Sequence, residues 1–184
     1  MLLPVYLYGQ PVLRKIAAPI DANYPNLKEF LINMWETMAK ADGVGLAAPQ
    51  VGQSIRIFVI DGSGFADKDQ SMKDFKKAFI NAEILEEDGE NFTFNEGCLS
   101  VPGIREDVVR KSRIRIRYQD ESFKQYEETF DGIKARIIQH EYDHLQGKML
   151  IDHINPLKRR MLQGKLNNIS KGKVDVDYKI KLLK

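Results

Sequence analysis

Apolar residues recur at helical spacing early in the chain, at Leu27, Phe30, Leu31, Met34, Trp35 and Met38. That stripe predicts a helix packed on the core. Asn26, with Glu29 three residues on, predicts a capping-box start. Small residues and a proline from Gly43 to Gln50 then interrupt the pattern. Ser54 to Ile60 reads as a buried strand, and the polar run from Asp61 to Asp74 as a surface loop. Further on, Ile114, Ile116 and Tyr118 alternate with Arg113, Arg115 and Arg117. This alternation predicts a half-buried strand over Arg113 to Gln119, with Gln125 to Phe130 as its hairpin partner. A second helix runs from about Gly132 to Leu145, with Gly147 placed to end it. Pro156 to Ile169 reads as a basic amphipathic helix. Val174, Val176, Tyr178, Ile180 and Leu182 alternate through 173–184, as in a final strand or an extended tail. The sum is an α+β fold, with mixed or antiparallel sheets packed around a central helix. A length of 184 residues suits one catalytic domain, 1–184, with one sizeable core.

Composition narrows the function classes. The hydrophobic fraction of 43% and charged fraction of 29% are those of a soluble globular protein. A formal net charge of +2 gives no reason to expect a specific nucleic-acid or membrane partner. Lys171, Lys173 and the run from Lys179 to Lys184 make the end of the chain basic. This end reads as a solvated tail, and its charge also suits an acidic partner such as a ribosomal surface. No apolar run reaches the length of a membrane span. Met1-Leu2-Leu3-Pro4-Val5 lacks the pattern of a secretory signal, so the expected location is the cytoplasm, or an organelle interior after removal of a presequence. Cys98 is the one cysteine and has no intramolecular disulfide partner.

The chemistry concentrates in Gln139-His140-Glu141-Tyr142-Asp143-His144. A four-residue step on a helix returns to nearly the same face, so both imidazoles can reach one metal ion. Glu141 can reach a water on that ion as general base. This is the H-E-x-x-H pattern of metal-dependent amide hydrolases. A catalytic site of this kind takes a third protein ligand. The metzincin continuation fails, because Leu150 stands where its histidine belongs. The thermolysin-like continuation fails as well, because no glutamate follows Glu141. Cys98, Asp152, His153, Asp175 and Asp177 remain. Cys98 is the best of these: Glu96-Gly97-Cys98-Leu99-Ser100 is not the setting of a core strand, and Gly97 allows close backbone approach. A thiolate beside two imidazoles suits a divalent ion.

Three segments together resemble the peptide deformylase family. They are Gly43-Val44-Gly45-Leu46-Ala47-Ala48-Pro49-Gln50, Glu96-Gly97-Cys98-Leu99-Ser100 and Gln139 to His144, in the family's order. The similarity runs from about Gln10 to the helix after Pro156. It implies a metal-dependent hydrolase that removes the N-formyl group from nascent formyl-methionyl peptides and releases formate. It implies Cys98, His140 and His144 as metal ligands and Glu141 as general base and acid. It also implies Gln50 and the Leu99 backbone N–H as oxyanion donors, and iron(II) as the physiological ion. Zinc, nickel or cobalt also suit such ligands in a purified sample.

The resemblance further suggests that Gly45 and Gly97 offer backbone hydrogen bonds to an extended peptide. Arg105 is either a contact for the peptide beyond its first residue or a solvated arginine near Glu106 and Asp107. Ile133 and Ile137 either line a methionine pocket or pack in the core. Arg136 either closes the pocket rim or contacts the peptide. Transient ribosome contact is expected of an enzyme acting on nascent chains. Two other classes compete: an internal-bond metalloprotease, and a non-catalytic protein with a closed structural metal site. The first lacks its third His or Glu ligand, and the second lacks enough cysteines.

Overall fold

The computed structural model describes residues 1–182. The elements in chain order are β1 (Val5–Tyr6), α1 (Leu27–Lys40), β2 (Gly45–Ala47), β3 (Ile57–Asp61), β4 (Lys76–Gly97), β5 (Arg105–Gln119), β6 (Gln125–Asp131), α2 (Gly132–Leu145), α3 (Pro156–Met161), α4 (Gln163–Ser170) and β7 (Ile180–Lys181). Strands β2 to β6 form one antiparallel sheet in sequence order. Strands β1 and β7 pair in parallel apart from it. The α+β expectation holds, with an antiparallel main sheet and α2 against it.

Strand β3 shows why a continuous apolar run forms here. Phe58 and Ile60 face the cluster that contains Ala135, Ile138 and Leu145 of α2. Ile57 and Val59 face the opposite cluster, with Leu31, Met34 and Met38 of α1. Side chains alternate across a strand, so helices on both faces require apolar residues at every position. Phe58 stacks on Phe79 with ring centroids 4.7 Å apart. Each such fully buried side chain contributes about 1.5–3 kcal/mol. A third cluster joins Leu7, Leu13, Val101 and Ile151 to Leu166 and Ile169 of α4.

Several elements differ from the expectation. The capping box at Asn26 does not form: Asn26 is left-handed at φ 56° and its side chain caps nothing. The segment expected as a surface loop, 61–74, holds two short 3-10 turns and buries Met72 completely. The helix expected over 156–169 is two helices, broken at Leu162. Strand β5 begins at Arg105, well before Arg113. The polarity pattern predicts no element over β4, the 22-residue strand Lys76–Gly97. The strand carries three register shifts and pairs with β5 from Ile80 to Gly97. Arg113 meets Asp88, and Arg115 meets Glu86 and Glu127, across the strands. Exposed pairs add only about 0–1 kcal/mol each, so they fix register more than they add stability.

Candidate active site

Helix α2 and the turn after β4 meet at the floor of a cleft of about 420 Å³. Gly147 ends α2 as expected, with φ 70°. A Cβ there would strike the Arg14 carbonyl, so the chain needs glycine at this turn. Buried apolar residues hold α2 on the sheet, and the helix presents His140, Glu141 and His144 inward.

Cys98, His140 and His144 each offer one ligand atom, and these atoms lie within 4.8 Å of one another. Cys98 Sγ is 3.4 Å from His144 Nε2. Ligands about 2.0–2.3 Å from a tetrahedral ion lie roughly 3.3–3.7 Å apart, so this spacing fits one. His140 Nδ1 donates to Glu96 Oε2 at 2.9 Å, which fixes the tautomer and leaves Nε2 for the ion. Burial alone would raise the Cys98 thiol, but His144 and His140 outweigh it and bring its pKa to about 5. His153 is not part of this group; its Nε2 pairs with Asp143 at 2.7 Å.

Glu141 is buried, and burial pushes its pKa up to about 7 against the pull of His140 and His144. Its Oε2 has no protein partner. A buried carboxylate oxygen without a partner is costly, and a water held between it and an ion would satisfy it. Gly45 makes room for it: a Cβ there would come within 2.8 Å of the Glu141 Cγ and Cδ atoms.

Gln50 is 1% exposed, not the surface residue its loop position would suggest in isolation. Its Oε1 accepts from the Ala47 N–H at 2.9 Å. Its Nε2 therefore faces Ser100 Oγ, at 3.2 Å, and Cys98 Sγ, at 3.6 Å. The amide thus points its donor, not its acceptor, at the ligand cluster. The turn that bears Leu99 is closed by Val101 N–H donating to the Cys98 carbonyl at 3.0 Å. No backbone acceptor among the described residues takes the Leu99 N–H.

Ile137 lines the cleft, whereas Ile133 packs on the core cluster beside it. Arg105 lines the cleft and bonds to Asn95 Oδ1 at 3.0 Å and the Asn95 carbonyl at 2.8 Å. It is also exposed to solvent. Gly97 lies beneath it, since a Cβ there would meet Arg105 Nη1 at 2.6 Å. Arg136 lines the cleft from a buried position: it is 1% exposed and donates to Glu96 at 2.8 Å.

Glu96 is the residue whose role the sequence did not show. Arg110 grips both its oxygens, at 2.7 and 3.1 Å, while Arg136 and His140 add one bond each. Arg110 also reaches Asp143 at 2.7 Å. Two arginines and two carboxylates balance in a dry setting, where removing one partner costs about 3–5 kcal/mol. Burial raises the Glu96 pKa, but the His140 and Arg110 bonds overcome this and hold it well below the carboxylate range. Its stabilising effect is therefore full above pH 4.5, the unfolded value, and is lost as pH falls further. Glu96→Gln should lower thermal stability at pH 7, with the gap to wild type narrowing below about pH 4; melting curves across that range decide it. A constant gap would remove the charged role of Glu96. The sequence signal was only the position of Glu96, two residues before the metal-ligand candidate. Phe65 and Phe94 also line the cleft, in edge contact at 5.9 Å, and had no sequence signal.

Residues 2–160 match the model of the polypeptide deformylase family. The chain belongs to the polypeptide deformylase family. It is 53% identical to the peptide deformylase of Flavobacterium johnsoniae, over 98% of this chain and 96% of that one. It is 50% identical to that of Christiangramia forsetii, over the same shares. Among solved structures it resembles a peptide deformylase from Legionella pneumophila, with TM-score 0.82 and 38% identity over 94% of this chain and 98% of that one. A Thermotoga maritima deformylase aligns with TM-score 0.76 and 44% identity, over 85% of this chain and 99% of that one. The chain is thus a metal-dependent hydrolase that removes the N-formyl group from nascent peptides. No described helix is long and apolar enough to cross a membrane.

Proposed function

We propose that Cys98, His140 and His144 hold the deformylase metal and that Glu141 moves the proton. The observation that carries this reading is the convergence of the three ligand atoms beside an unpartnered Glu141 oxygen. A divalent ion held by these three residues would supply Lewis acidity, to acidify a water near neutral pH and to polarise the formyl carbonyl. Glu141 takes the proton from the attacking water and returns it to the amine as the C–N bond breaks. Gln50 Nε2 and the Leu99 N–H donate to the developing oxyanion, and being fixed in advance they need not reorganise. Formate and a free amino terminus leave.

Gly45 and Gly97 offer backbone bonds to the extended substrate, and Arg105 contacts the peptide beyond its first residue. Val44, Phe65, Phe94 and Ile137 surround the apolar space for methionine, with Ile133 behind it. Thiolate and imidazole donors suit iron(II), zinc, nickel or cobalt; iron(II) is the physiological ion in this reading. Residues 1–184 act as one catalytic domain in the cytoplasm. Transient contact with the ribosome belongs to the same reading, with the basic end of the chain, Lys171, Lys173 and the lysines after Tyr178, as its candidate surface.

The test is formate release from a formyl-Met peptide by protein loaded anaerobically with iron(II), with the acetylated peptide as control. Formate from the first and no cleavage of the second is expected. Metal-loaded protein that releases no formate would overturn the reading and reopen the protease and structural-metal classes.

A further inference from the structure

The C-terminal segment enters the active site, although the mechanism above does not use it. From Val174 to Ile180 every second residue is half-buried and those between are exposed. The segment is held at its far end by β7, which pairs with β1 through Val5↔Ile180 and Tyr6↔Lys181. Val5 N–H donates to the Lys179 carbonyl at 2.8 Å, and Gln10 Nε2 to the Lys181 carbonyl at 3.2 Å. Its inward residues Val176 and Tyr178 line the same cleft as Cys98, Glu141 and Arg105. Tyr178 Oη donates to the Leu99 carbonyl at 2.8 Å.

Three successive carbonyls of the turn after β4 are thereby held. Cys98 O accepts from Val101 N–H, Leu99 O from Tyr178, and Ser100 O from Tyr8 N–H at 2.8 Å. The peptide plane of the Cys98 carbonyl is the one that carries the Leu99 N–H. Tyr178 holds the next plane, across the Leu99 Cα. Free rotation at Leu99 would swing that N–H and the Cys98 thiolate out of register with Gln50 and the histidines. The two residues that pin the turn from outside, Tyr8 and Tyr178, flank the paired strands β1 and β7. The small sheet thus acts as a clamp on the catalytic turn.

We propose that segment 176–181 is a working wall of the active site. Tyr178 is a positioning residue that fixes the Leu99 N–H, and Val176 is an apolar contact for the peptide beyond its first residue. This rests on the reading of Leu99 and Gln50 as the oxyanion donors. The two residues act on different kinetic constants. Loss of the Tyr178 hydroxyl loosens a donor needed in the transition state, so kcat falls while KM holds. Loss of the Val176 methyl groups removes binding surface, so KM rises for longer peptides only.

The experiment compares wild type, Tyr178→Phe, Val176→Ala and Gln50→Leu on formyl-Met-Ala and on a formyl-Met tetrapeptide, with metal content and melting temperature alongside. Tyr178→Phe should lower kcat about fivefold or more on both substrates, with KM, metal content and melting temperature unchanged. Val176→Ala should raise KM about threefold on the tetrapeptide alone. If Gln50→Leu loses kcat while both tail variants match wild type, the tail inference is overturned and the oxyanion reading stands. If neither Gln50→Leu nor Tyr178→Phe changes kcat, the oxyanion reading itself fails. A Tyr178→Phe protein that loses stability, metal and activity in parallel shows a structural tail and also overturns the inference.

Discussion

Glu141→Ala is expected to lower kcat by about 10²–10⁴-fold while the protein keeps its metal and its fold. Glu141 lies between the ligand candidates in sequence and beside them in space, yet it is not needed to complete the ligand set of Cys98, His140 and His144. Its carboxylate is buried against Gly45, one oxygen is unpartnered, and burial lifts its pKa to about 7. A base must be deprotonated to act, so activity is present above that pKa and lost as pH falls through it. The pH profile of kcat/KM in wild type should therefore show an acid limb at or below about pH 7, since a bound cation would draw the pKa down. Steady-state kinetics with metal analysis on the same samples check both parts. Retained turnover in Glu141→Ala would overturn the assignment of the base. Lost metal would instead move Glu141 into the ligand set.

The second large effect is on the metal itself. Cys98→Ala should drop metal content from about one ion per chain toward none, because two imidazoles alone leave the ion underheld. Activity should fall with it. Burial opposes ionisation of the wild-type thiol, but His144 and His140 bring its pKa to about 5, so the sulfur favours the thiolate at neutral pH. Protons compete for the same sulfur and imidazoles as pH falls, so wild-type protein should lose its metal on acidification. Elemental analysis after dialysis at stepped pH measures this directly. Unchanged stoichiometry in Cys98→Ala would mean that another side chain completes the set. His153 and Asp152 are poor substitutes, because they are already engaged with Asp143 and Arg14.

Much of the site was legible because its spacing is local. His140, Glu141 and His144 are set by one helical turn, and the apolar stripe of α2 forces that helix against the core. Cys98 followed from its setting beside Gly97 and from the three segments shared with the family. Gln50 was placed by that resemblance, and the structure adds the orientation of its amide. The β3 run and the alternation of β5 were also readable, since burial on two faces or one leaves a direct mark on polarity.

The sequence by itself determined the helix with its two imidazoles and carboxylate, the alternating strands, and a chain whose motifs mark a deformylase. Only the tertiary structure decided what lies across from those motifs. Strand β4 was hidden because no apolar alternation marks its acidic middle, which Arg113 and Arg115 of β5 face. Glu96, Arg110 and Arg136 look like surface charges until folding buries them together around His140. Tyr178 lies 79 residues from the Leu99 it bonds, and no pattern along the chain joins the two. The physical reason is the same in each case. Periodicity encodes which face of an element is buried, but a charge, a donor or a wall acquires its role from a partner that chain closure brings from far away.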